Sequence, residues 1–112
     1  MRGDEDWVAH TELQACAPGG ARHRMFLAVS RPNPQADGGW EVSLRISPLL
    51  DPPIRLIGED GWQAINIALT FAEHQLRDLI AKGWIFHLQD DPIDELPLSP
   101  ADLAALWGRT AG

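Results

Sequence analysis

Two apolar periods in succession predict an α+β fold: an antiparallel β-meander of three to five strands packed against one long helix, with a short helix near the C-terminal end. Three observations carry that expectation. Trp40, Val42, Leu44 and Ile46 alternate with Glu41, Ser43, Arg45 and Ser47, the period of a strand with one face on a core and one in water. Between Gly58 and Gly83 the apolar residues recur at helical spacing, over a stretch too long for one strand. Clusters of Pro, Gly and Asn or Asp divide the preceding chain into short segments.

Taken in order, Trp7 to Cys16 alternates weakly, with Trp7, Ala9, Thr11, Leu13 and Ala15 on one side, and is expected to be the first strand. Ala17-Pro18-Gly19-Gly20 ends it, because proline lacks a donor and glycine permits positive φ. A second strand is expected over Arg22 to Arg31, with Met25, Leu27 and Val29 on one face. The segment from Pro32 to Gly39 has two prolines, two glycines and no apolar period, and predicts a mobile hairpin connection to the strand Trp40–Ser47. Pro48, Pro52 and Pro53 close that strand, and Ile54 to Ile57 then reads as an edge strand or an extended lead into the helix. Residues 1–57 are thus mainly strands.

The long helix is expected over 60–82. Asp60 is placed to cap it, accepting from the Gln63 backbone N–H while the Gln63 side chain reaches back. Gly83 supplies the left-handed residue that ends it, with Lys82 beside the negative end of the dipole. At about 100° per residue, Trp62, Ile65, Ala68, Leu69, Ala72, Leu76, Leu79 and Ile80 form the expected core stripe. Asn66, Thr70, Glu73 and Arg77 form a polar face, with Glu73 and Arg77 paired at i, i+4. Ile67 and Phe71, flanked by Ala64, His74 and Asp78, make a second apolar patch expected roughly opposite the core, which something must cover.

After the helix, residues 84–88 read as a strand or extended arm, followed by an acidic run containing Asp90, Asp91, Asp94 and Glu95. Ser99-Pro100-Ala101-Asp102 opens a short helix over 99–108, with Ser at the cap and Pro at the first position. Leu103, Leu106 and Trp107 give it an apolar side.

The 112 residues are read as one domain, long enough to bury a core without metal or disulfide. A lone cysteine, Cys16, fits a small hydrophobe on a strand in a reducing compartment. No run approaches the ~18 apolar residues of a membrane span, and the first residues are acidic, so a cytoplasmic protein with no membrane contact is expected. Sixteen acids against nine Lys and Arg give a net charge of −7. That balance argues against direct nucleic-acid binding, which needs a basic footprint, and suits a basic protein partner. The basic triplet Arg22-His23-Arg24 is expected on a strand end facing water.

No reaction is spelled out. A nucleophile needs a base to activate it; Cys16 stands alone, and no G-x-S-x-G elbow is present. His10, His23, His74 and His87 are scattered and never at the spacing of a metal site, and neither Gly-Gly pair is followed by the lysine and helix of a phosphate loop. Glu73 and His74 are adjacent on a helix and point about 100° apart, which does not suit a dyad. No cofactor or catalytic residue is therefore assigned.

Gly58-Glu59-Asp60-Gly61-Trp62-Gln63-Ala64-Ile65, followed by Ala68-Leu69, resembles a family of small uncharacterised bacterial domains with a G-x-D-x-x-Q-A pattern at the start of a long helix that follows antiparallel strands. The resemblance covers Trp40 to Gly83. Small acidic domains of this architecture occur among immunity proteins of bacterial toxin systems, and the resemblance therefore implies a non-enzymatic inhibitor of a bacterial toxin. Its expected docking residues are Ile67, Phe71, His74, Trp84, Asp90, Asp91, Asp94, Glu95 and Trp107. The alternatives are a domain that self-associates, as a homodimer, through Ile67 and Phe71, and a small acid/base enzyme using Glu73, His74 or the acidic run.

Overall fold

Strand pairing in the computed structural model, which describes residues 7–88, follows the alternation of the sequence closely. The fold is α+β, an antiparallel sheet packed against one helix, with six strands where three to five were expected. The strands are β1 (Trp7–Cys16), β2 (Arg22–Ser30), β3 (Asn33–Pro34), β4 (Trp40–Ser47), β5 (Leu50–Gly58) and β6 (Ile85–Leu88), with α1 (Gly61–Ala81) between the last two. The sheet order is β3-β4-β2-β1-β6, and β5 also pairs with β4. The expected helix over 99–108 lies outside the described residues.

The described chain forms two compact units: one holds β1 up to Thr11 and Phe26–Ala72, the other Glu12–Met25 and the residues from Glu73 onward. In the first unit β4 is central. Glu41 pairs with both Asn33 and Ile57, and Leu44 with both Val29 and Ile54, so β5 takes one edge of β4 while β2 and β3 share the other. The inward residues Val42, Leu44 and Ile46 are fully buried, as the period-two pattern predicts. The opposite face is less open to water than expected. Ser43 is buried and Glu41 and Arg45 are half-buried, because small side chains lie among long ones there, including the cross-strand pair Arg55–Glu41 at 3.6 Å.

Between Val29↔Leu44 and Asn33↔Glu41 the β2–β3 edge advances four residues for three on β4, a bulge. The buried Ser30 hydroxyl fills the resulting gap, accepting from the Ser43 backbone N–H at 2.8 Å. Ser30→Ala is expected to cost about 1–3 kcal/mol in urea unfolding, because it strands that buried N–H. The segment from Pro32 to Gly39, expected as a hairpin connection, includes β3 and a turn closed by Gly38 N–H to Gln35 O and Gln35 N–H to Gly39 O.

Of the three prolines expected to precede an edge strand, Pro48 lies in the turn after β4, while Pro52 and Pro53 lie inside β5. Leu44↔Ile54 and Ile46↔Leu50 span two residues of β4 but four of β5, and that bulge takes in Pro52 and Pro53. A strand paired on one edge only needs no donor on the other, and a bulge removes the demand on the paired side as well.

Helix α1 starts and stops as its sequence prescribes. Gln63 N–H donates to Asp60 Oδ1 at 2.7 Å, and Gln63 Oε1 accepts from Glu59 N–H at 2.6 Å, one residue earlier than in a standard capping box. At the far end Gly83 has φ 102°, Trp84 N–H reaches Leu79 O and Gly83 N–H reaches Ile80 O, a complete Schellman stop. Arg77 and Glu73 pair at 3.0 Å, as their i, i+4 spacing predicts.

The helix is rotated from its expected setting. Ala64, Ala68, Ala72 and Leu76, one i+4 ridge, are the buried residues, with Ile65 and Leu69 half-buried to one side and Ile80 continuing the ridge half-buried. Trp62, assigned to the core stripe, is 82% exposed. Ile67 and Phe71, expected opposite the core, are half-buried on the other flank of the ridge. A hydrophobicity wheel leans towards the largest apolar residues, whereas close approach to a sheet favours the smallest. In the second unit the buried residues are Leu13, Ala15, Met25, Leu76 and Phe86, with Ala15↔Phe86 directly paired across β1 and β6.

Candidate functional site

The junction of β5 and α1 presents apolar surface beside acids. Gly58 lies so close to the first helical turn that a Cβ there would come within 2.5 Å of Ala64 N. Gly61 faces the side chains of Pro32 and Trp40 less tightly, a Cβ there coming to 3.3 Å and 3.6 Å. With those two glycines turned inward, the residues flanking them turn outward: Ile57 is 54% exposed and the indole of Trp62 stands almost wholly in solvent. Glu59 and Asp60, between them, are exposed, and Asp37 with Ile57 flanks Gly39 in the neighbouring hairpin. Trp62 O accepts from the Asn66 side chain at 2.9 Å, which steadies the turn that carries the indole. The junction thus places one exposed indole beside exposed carboxylates.

The second unit carries a different surface. On β1 and β6 the register Gln14↔His87 and Cys16↔Ile85 places these four residues on the face opposite buried Leu13, Ala15 and Phe86. Arg22 and Arg24, alternating with buried Met25 on β2, join them around a cavity of about 310 Å³. Arg24 Nε lies 3.5 Å from Glu12 Oε2.

No protein-family model matches this chain, and neither a curated protein nor a solved structure matches it. The site is therefore read from its own residues. Among the described residues no group of three or more His, Cys, Asp or Glu is placed to hold a metal ion. No described helix is long and apolar enough to cross a membrane.

Of the residues expected to dock a partner, Ile67 and Phe71 are half-buried one turn apart in the first unit, and His74 is exposed in the second. Trp84 is half-buried, its ring 6.3 Å from Phe86 and 5.8 Å from His23. Asp90, Asp91, Asp94, Glu95 and Trp107 lie outside the described residues. Trp62 was missed because its helical angle admits it to an apolar stripe; the signal that could have found it is the pair of glycines on either side of the cap. Arg22 to Arg24 are exposed at the strand start, as expected. Gln14 and His87, which line the same cavity, are brought together only by the register of β1 with β6.

Proposed function

We propose that this chain is a non-enzymatic binding protein, an immunity-type inhibitor that docks on a basic bacterial toxin domain in the cytoplasm. The observation that carries the proposal is the exposed Trp62 beside Glu59 and Asp60. An indole left in water on a capped, rigid turn loses little entropy on docking and offers a large contact area. The net charge of −7 favours a basic partner and speeds its encounter. The acidic run from Asp90 to Glu95 would add to the attraction. Self-association through Ile67 and Phe71 gains less support, since both are half-buried beside the alanine ridge.

Co-expression with a basic toxin encoded beside its gene tests the proposal. Restored growth of the toxin-bearing cells and an equimolar complex on gel filtration are the expected results. Growth arrest unchanged by this chain, with both proteins present and folded, would exclude it for that toxin.

A further inference from the structure

The cavity on the outer face of the second unit runs against the charge of the whole molecule. Acids outnumber Lys and Arg by sixteen to nine, yet the described residues lining this cavity include Arg22, Arg24, His87 and His23 and no carboxylate. We propose that it is a binding site for a small oxyanion, a phosphate or carboxylate group, held by Arg22, Arg24 and His87.

The geometry is set by backbone register. Arg22 and Arg24 lie two residues apart on β2, about 6.5 Å along a strand, and project from one face. Two guanidinium forks at that spacing can converge on a single tetrahedral or planar anion, which Arg recognises through paired N–H donors. Across β1, His87 contributes an imidazole whose Nδ1 is buried with no hydrogen-bond partner among the described residues. A nitrogen closed to water is closed to a ligand oxygen as well, so His87 would meet the anion through the part of its ring that lines the cavity. Arg24 meets Glu12 only through Nε at 3.5 Å, and its side chain is 78% exposed, so the internal carboxylate is a weak competitor. The volume of about 310 Å³ lies at the small end of ligand sites, suited to a compact anion.

The test is titration of the intact chain with inorganic phosphate and, separately, with succinate, at constant ionic strength set by chloride and followed by amide NMR shifts. The expected result is saturable shifts centred on Gln14, Cys16, Arg22, Arg24, Ile85 and His87. Saturation with phosphate alone or succinate alone supports the site and assigns the anion; saturation with both supports a general oxyanion site. The double variant R22Q/R24Q should weaken binding at least tenfold, and Glu12→Gln should strengthen it by releasing Arg24. Cys16 gives a second readout, being the only cysteine in the chain and lining the cavity. Its alkylation by anionic iodoacetate, relative to neutral iodoacetamide, should fall several-fold in R22Q/R24Q. Shifts that fail to saturate with both anions, binding that survives R22Q/R24Q, or an alkylation ratio untouched by that variant would each overturn the proposal.

Discussion

Gly58→Ala is expected to destabilise the protein by about 3 kcal/mol, the upper end of overpacking, as a fall in the urea midpoint at constant m value. The added Cβ would meet Ala64 N at 2.5 Å, Ala64 Cα at 2.8 Å and the Gln63 carbonyl carbon at 3.0 Å, all backbone atoms of the first helical turn. No flexible side chain can move aside, so the turn itself must retreat from the end of β5. That retreat strains the two hydrogen bonds that start the helix, Gln63 N–H to Asp60 and Glu59 N–H to Gln63. Gly61→Ala is the control. Its Cβ would meet only the Pro32 and Trp40 side chains, at 3.3 Å and beyond, and alanine is the better helix former. A change within about 1 kcal/mol is expected there. Equal losses at both positions would show that close approach at Gly58 is not what holds the junction.

The same junction shows how far the sequence could be read. The α+β class, the bounds of β1 and β4, the Asp60 cap and the Gly83 stop are all local, and local chemistry suffices to find them. The rotation of α1 is not local. It depends on how near the helix comes to the sheet, and Ala64, Ala68 and Ala72 decide that by their smallness, while Trp62 attracts any wheel weighted by hydrophobicity. The path of β5 through Pro52 and Pro53 was hidden for a related reason. Proline forbids a regular ladder but not a bulged edge, and only the pairing with β4 shows which of the two is present.

The candidate sites divide along the same line. Arg22 to Arg24 could be marked as exposed basic residues from sequence, but the cavity also needs His87 and Gln14, more than sixty residues apart in the chain. Their meeting is a consequence of β6 returning beside β1 after the helix, a pairing that no short-range period encodes. Trp62 carries the opposite lesson: its residue type was noticed and its direction was misassigned.

Trp62→Ala is expected to leave folding stability within about 0.5 kcal/mol, because an exposed side chain takes little packing with it. Against a toxin domain that the chain is proposed to inhibit, the same variant should lose about 2–4 kcal/mol of binding, a rise in Kd of roughly 30- to 1,000-fold. The contrast with Gly58→Ala separates the two roles met at this junction, one change breaking the fold and the other sparing it. Replacing Glu59 with Lys should act differently from either. It reverses a rim charge, so titration calorimetry and stopped flow should show a modest loss carried mainly by a slower association rate, with a weaker dependence on salt. Should Trp62→Ala bind as tightly as the unaltered chain, the indole is not the anchor. If the inhibitor reading still holds, contact must then run through another surface, with the acidic residues from Asp90 to Glu95 the next to reverse.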